Sequence, residues 1–105
     1  MATGIFGQAD VAATTNTTLY TVPAAFKDSF SVNFCNRTAV AIVVRFAIST
    51  LATPTNAEYI IYDASIPANA SVERTGLVAQ AGKLMVVYAA TAGLSCTVYG
   101  YEGAV

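Results

Sequence analysis

At 105 residues the chain has the size of one domain, and with five Lys or Arg, six Asp or Glu and no histidine it carries a net charge of −1. That composition argues against a basic nucleic-acid-binding patch and removes the commonest general base and metal ligand. No stretch approaches the roughly 18 apolar residues of a membrane-spanning helix. Charged residues make up only 10% of the chain against 55% hydrophobic residues, where about a quarter charged is usual. A folded surface of roughly 5,600 Å² then bears about one charge per 500 Å², and apolar surface on that scale meets a partner.

In chain order, residues 1–15 hold Ile5 and Phe6 between Gly4 and Gly7, followed by a tract of small residues. This segment is expected to be either an arm with a hydrophobic anchor that straps onto a neighbouring subunit or an additional edge strand. Thr17 to Val22 is a predicted strand stopped by Pro23, which cannot donate to a ladder. A second runs from Asp28 to Cys35 and ends at the polar turn Asn36-Arg37. The third, Ala39 to Ile48, places Val40, Ile42, Val44, Phe46 and Ile48 on one face and Ala41, Val43, Arg45 and Ala47 on the other. With both faces mostly apolar, it belongs at the centre of a sheet or at an interface.

Ser49 to Ala57 is the longest turn-like segment, punctuated by Pro54 and Asn56. Further strands are expected over Glu58 to Asp63, Ser71 to Leu77, Lys83 to Ala89 and Leu94 to Glu102, separated by turns at Pro67-Ala68-Asn69-Ala70, Ala81-Gly82 and Ala92-Gly93. The spacing, with no amphipathic helical window, predicts an all-β chain. Its expected form is a single antiparallel β-sandwich or jelly-roll-like barrel of about seven or eight strands.

Candidate chemistry is sparse. Without histidine no Ser-His-Asp or Cys-His arrangement can form, and Glu58, Asp63 and Glu73 lack the sugar cleft and Trp that a carboxylate pair for glycoside hydrolysis would accompany. They are expected, with Arg74, to be turn-flanking or edge charges. The carboxylates and cysteines are too dispersed for a metal site within one chain, and the glycines follow no phosphate-binding pattern, so neither cofactor nor enzymatic activity is expected. Strand phase sets Cys35 and Cys96 on opposite faces, which predicts two free thiols. The triplets beginning at Asn16, Asn36 and Asn69 fit the glycosylation pattern, yet the N-terminus lacks a basic-then-apolar secretory pattern, and all three fall where turns want Asn.

Tyr59, Tyr62, Tyr88, Tyr99 and Tyr101 are interleaved with aliphatic residues. Tyrosine suits both core rims and subunit interfaces. If Cys96 and Val98 point inward, Tyr99 and Tyr101 point outward. Ile5, Phe6, Leu51, Tyr99 and Tyr101 are therefore the candidate interface residues.

The runs TLYTVP (18–23), FCNRTAVAIVVRFAI (34–48), EYIIYDASIPANASVERTGLV (58–78), KLMVVYA (83–89) and VYGYE (98–102) resemble small virion structural proteins of tailed bacteriophages, notably cyanophages. The resemblance spans most of the chain and consists of strand and turn patterns without catalytic residues. It implies a non-enzymatic capsid cement or decoration subunit on the head surface, assembled in the host bacterial cytoplasm. The implied partners are the major capsid protein or other virion proteins and sister copies in a homo-oligomer, with a trimer as the first expectation. A tail fibre or baseplate component is the alternative, and a carbohydrate-binding module built on Tyr99 and Tyr101 is a third.

Overall fold

The computed structural model describes residues 3–105 and contains eight strands: β1 (Thr3–Val11), β2 (Thr17–Thr21), β3 (Phe26–Asn36), β4 (Ile42–Ser49), β5 (Tyr59–Ile66), β6 (Ser71–Ala79), β7 (Leu84–Ala89) and β8 (Leu94–Ala104). They form two four-stranded antiparallel sheets in the orders β1-β8-β3-β6 and β2-β7-β4-β5. The pairing is nested, first strand with last, second with seventh, third with sixth and fourth with fifth. Pairs β3·β8 and β4·β7 then join these ribbons into sheets. This is the jelly-roll arrangement, so of the two forms anticipated the sandwich is the jelly-roll one.

Alternation does the building. Along β3, Asp28, Phe30, Val32 and Phe34 point inward. So do Ile42, Val44 and Phe46 of β4 and Leu94, Cys96 and Val98 of β8. Phe46 lies tilted against Phe30 and edge-on to Phe34, each at 6.2 Å between centroids, a geometry that adds to the area these rings bury.

Of the two forms anticipated for the N-terminal segment, residues 3–11 take the edge strand, paired with β8; Met1 and Ala2 lie outside the described residues. Two expectations need correction. The bulge between Ile5 and Gly7 turns Phe6 into the core, where it stacks on Tyr20 at 5.0 Å, so Phe6 is not a surface anchor. The fourth strand begins at Ile42 instead of Ala39. Val40 is 72% exposed, because the Asn36 and Thr38 side chains bind the Val40 carbonyl and tie residues 37–40 into a turn.

Cys35 points outward and half-buried on β3, while Cys96 is buried on β8, and both thiols are free. Burial pushes the Cys96 thiol up to about 12. A thiol reagent at neutral pH is accordingly expected to label Cys35 in the folded chain and Cys96 only after denaturation; mass spectrometry showing both modified in the native state would contradict this placement.

Candidate functional site

The outer face of the β1-β8-β3-β6 sheet brings three of the candidate residues together. Ile5 is the cross-strand partner of Tyr99, which faces Ser31, and Tyr101 faces Ser29, which in turn faces Val78. Ile5, Tyr101 and Val78 are 59%, 60% and 65% exposed, whereas Tyr99 is half-buried. The serines between them are short, so the large side chains stand proud. Beside Tyr101 and Val78 lies a shallow, mostly apolar depression of about 210 Å³, edged by Lys27, Ser29 and Gly103. Leu51, also exposed, lies on the β4–β5 loop of the other sheet and does not join this row. Val78 was missed because β6 was expected to stop at Leu77; the strand continues to Ala79.

The outer face of the other sheet carries a different cluster. Between Val44↔Ala64 and Phe46↔Ile61 the register of β4 against β5 slips, so Tyr62 and Asp63 together oppose Arg45. Asp63 makes this bulge with φ +53°, a left-handed conformation that Asp tolerates better than most residues. The Arg45 guanidinium lies 4.2 Å from the Tyr62 ring centroid and 4.8 Å from that of Tyr88, while its Nε donates to Asp63 Oδ1 at 2.6 Å. Tyr59 stands edge-on to Tyr62 at 5.0 Å, and with Asn56 these two rings line a depression of about 420 Å³. A cation held between aromatic faces is a stable, preorganised contact surface. The signal legible beforehand was an Asp directly after Tyr62 in a β-rich run.

The remaining acidic candidates have local structural work. The Glu58 carboxylate accepts from the Thr55 and Thr50 backbone N–H groups, which hold it below the usual carboxylate range. Glu73 lies on edge strand β6 opposite Asn33. Asp10 and Arg37 form an exposed ion pair, worth little in water. Among the described residues, no three His, Cys, Asp or Glu side chains gather as a metal site would require. No family model, curated protein or solved structure matched the chain in comparison.

Proposed function

We propose that the chain is a non-enzymatic structural subunit of a phage virion, a cement or decoration protein that binds the head surface where coat-protein capsomers meet. The observation that carries this reading is the exposed row Ile5, Tyr101 and Val78, set off by the short Ser29 and Ser31 side chains between the strands. A self-associating or lattice-bound subunit buries such a row, and a solitary one would leave it in water. The Arg45–Tyr62–Tyr88 cluster on the opposite face has the residue types that dominate interface energetics, which suits a subunit contacting a sister copy on one side and coat protein on the other. Stable lattice contacts would each bury at least about 1,000 Å², and a closed ring would stop open-ended growth.

Light scattering on the purified chain should show a defined oligomer, a trimer being the first expectation. Ile5→Ser/Val78→Ser/Tyr101→Ser should lower the mass toward monomer while leaving thermal unfolding of the fold in place. Mixed with heads lacking it, the unaltered chain should attach and raise their heat resistance. A monomer, or an oligomer that ignores heads, would overturn the head assignment and direct attention to the tail fibre or baseplate.

A further inference from the structure

Two acids sit where the alternation demands hydrophobes. Asp28 on β3 and Glu102 on β8 are cross-strand partners, both on the inner face and both 1% exposed. The predicted strands begin at Asp28 and end at Glu102, but β3 starts two residues earlier and β8 runs two residues further, which sets both acids inside the sheet. The Tyr20 hydroxyl of β2 crosses from the opposite sheet and donates to Glu102 Oε1 at 2.7 Å.

Asp28 has no such donor: among the described residues no N–H or hydroxyl reaches either carboxyl oxygen, and the group against it is the Glu102 carboxyl. Ionised carboxylates only accept hydrogen bonds, and a buried acceptor with no donor is costly. Two facing carboxyls are mutually satisfied only when a proton lies between them.

We propose that Asp28 and Glu102 share one proton, and that this proton, with Tyr20, clasps the two sheets so that the fold loosens as the medium passes from acid to neutral pH. Burial first, and then the hydrogen bond and negative charge of Glu102, push Asp28 up from 3.8 to about 7. The same surroundings, burial foremost, raise Tyr20 and keep its phenol protonated. The titratable groups facing Asp28 are Glu102 from β8 and Tyr20 from β2; its β6 partner is Ala79, and Lys27, next along β3, is exposed on the other face.

The sign follows from linkage. Between about pH 4 and about pH 7 the folded chain holds a proton that the unfolded chain has released, so stability falls with rising pH across that window and levels off above it. The clasp lies under the exposed row, because Ser29 and Tyr101 are the chain neighbours of Asp28 and Glu102.

Urea unfolding followed by circular dichroism from about pH 4 to about pH 8 is the test. The unaltered chain should lose midpoint concentration steadily toward neutrality. Asp28→Asn, whose amide donates to Glu102 without a proton, should flatten that dependence and exceed the unaltered chain above pH 7. Glu102→Gln, which still accepts from Tyr20 and offers an amide to Asp28, should flatten it too. Infrared spectroscopy of the folded, unaltered chain at about pH 6 should show a protonated-carboxyl band, a readout that needs no variant, and Asp28→Asn, where it folds, should remove that band. Parallel pH profiles for the unaltered chain and both variants, or no protonated-carboxyl band, would overturn the shared proton.

Discussion

Asn36→Ala is expected to cost about 4 kcal/mol, a large part of the roughly 5–15 kcal/mol that holds a domain of this size folded. Asn36 is 1% exposed, and its one amide joins three segments. Nδ2 donates to the carbonyls of Val40 at 2.8 Å, Ile66 at 3.0 Å and Pro67 at 3.2 Å, while Oδ1 accepts from the Thr38 N–H at 2.9 Å and the Thr38 hydroxyl at 2.7 Å. The end of β3, the 37–41 turn and the end of β5 thus meet on a single side chain. The Val40 carbonyl keeps the Thr38 hydroxyl and the Pro67 carbonyl keeps the Ala70 N–H, so alanine would fall hardest on the buried Ile66 carbonyl and the Thr38 N–H, at about 1–3 kcal/mol for each one that water cannot reach, with the cavity adding to this.

Asn36→Asp separates hydrogen bonding from volume. A carboxylate of the same shape keeps the bonds from Thr38, loses every donor to the three carbonyls and buries a charge, so it should be at least as damaging at neutral pH and should recover partly as acid protonates it. Urea unfolding by circular dichroism measures both variants. A loss below about 1 kcal/mol for Asn36→Ala would mean that water replaces the amide and that this junction is not what ends β3 and β5. The same burial takes Asn36 out of contention as a glycan acceptor, although the Asn36-Arg37-Thr38 triplet fits the pattern.

What could be read beforehand follows the range of the interaction concerned. Strand identity and facing are local, and the alternation at Phe30, Val32 and Phe34 or at Leu94, Cys96 and Val98 was enough to set inside from outside and to separate the two cysteines. Pairing is not local. That β1 lies beside β8, some ninety residues away along the chain, leaves no mark on a period-two pattern, so the jelly-roll order was one of the forms anticipated without being selected.

The misplaced residues share a cause. Phe6 is expected at the surface when residues 1–15 are read as an arm, in which adjacent Ile5 and Phe6 can anchor together; as a strand the two neighbours face opposite ways, and the bulge that follows is visible only against the register of β8. Asp63 is the exposed edge-strand charge that was expected, and only its partner Arg45, reached through a slip in β5 across a separation of 18 residues, could not be read locally. The predicted strands begin at Asp28 and end at Glu102, and a buried acid runs against the general distribution of residues, so nothing local marks either as facing the core. Each departure from the local rule falls at a paired acid, a bulge or a polar junction, where the tertiary partner decides.

Gly100→Ala is the second substitution expected to have a severe effect, at least about 3 kcal/mol. Gly100 belongs to the inner row of β8, between Val98 and Glu102, and β8 is an interior strand hydrogen-bonded to β1 on one side and β3 on the other. A Cβ at this position would lie 2.2 Å from the Ser29 carbonyl oxygen and 2.6 Å from the Phe30 Cα. Both are backbone atoms of the neighbouring strand, so no side chain can swing aside. Relief requires β8 to move away from β3, stretching a ladder that extends from Phe26 to Asn36 and disturbing Phe30, whose ring packs against Phe46.

Gly103→Ala, three residues along the same strand, is the internal control. Its added Cβ would meet only the Cε2 atom of Tyr101, at 3.3 Å, the far part of a side chain that is 60% exposed and can rotate away. Thermal unfolding should therefore drop by more than about 12 °C for Gly100→Ala, taking roughly 4 °C or more per kcal/mol for a domain of this length, and by only a few degrees for Gly103→Ala. Equal, small losses for the two would show that β8 and β3 separate readily at Gly100. The row of side chains on β8 and β3 would then be free to shift, and the rigid sheet face on which Tyr99 and Tyr101 are presented to a partner would not exist.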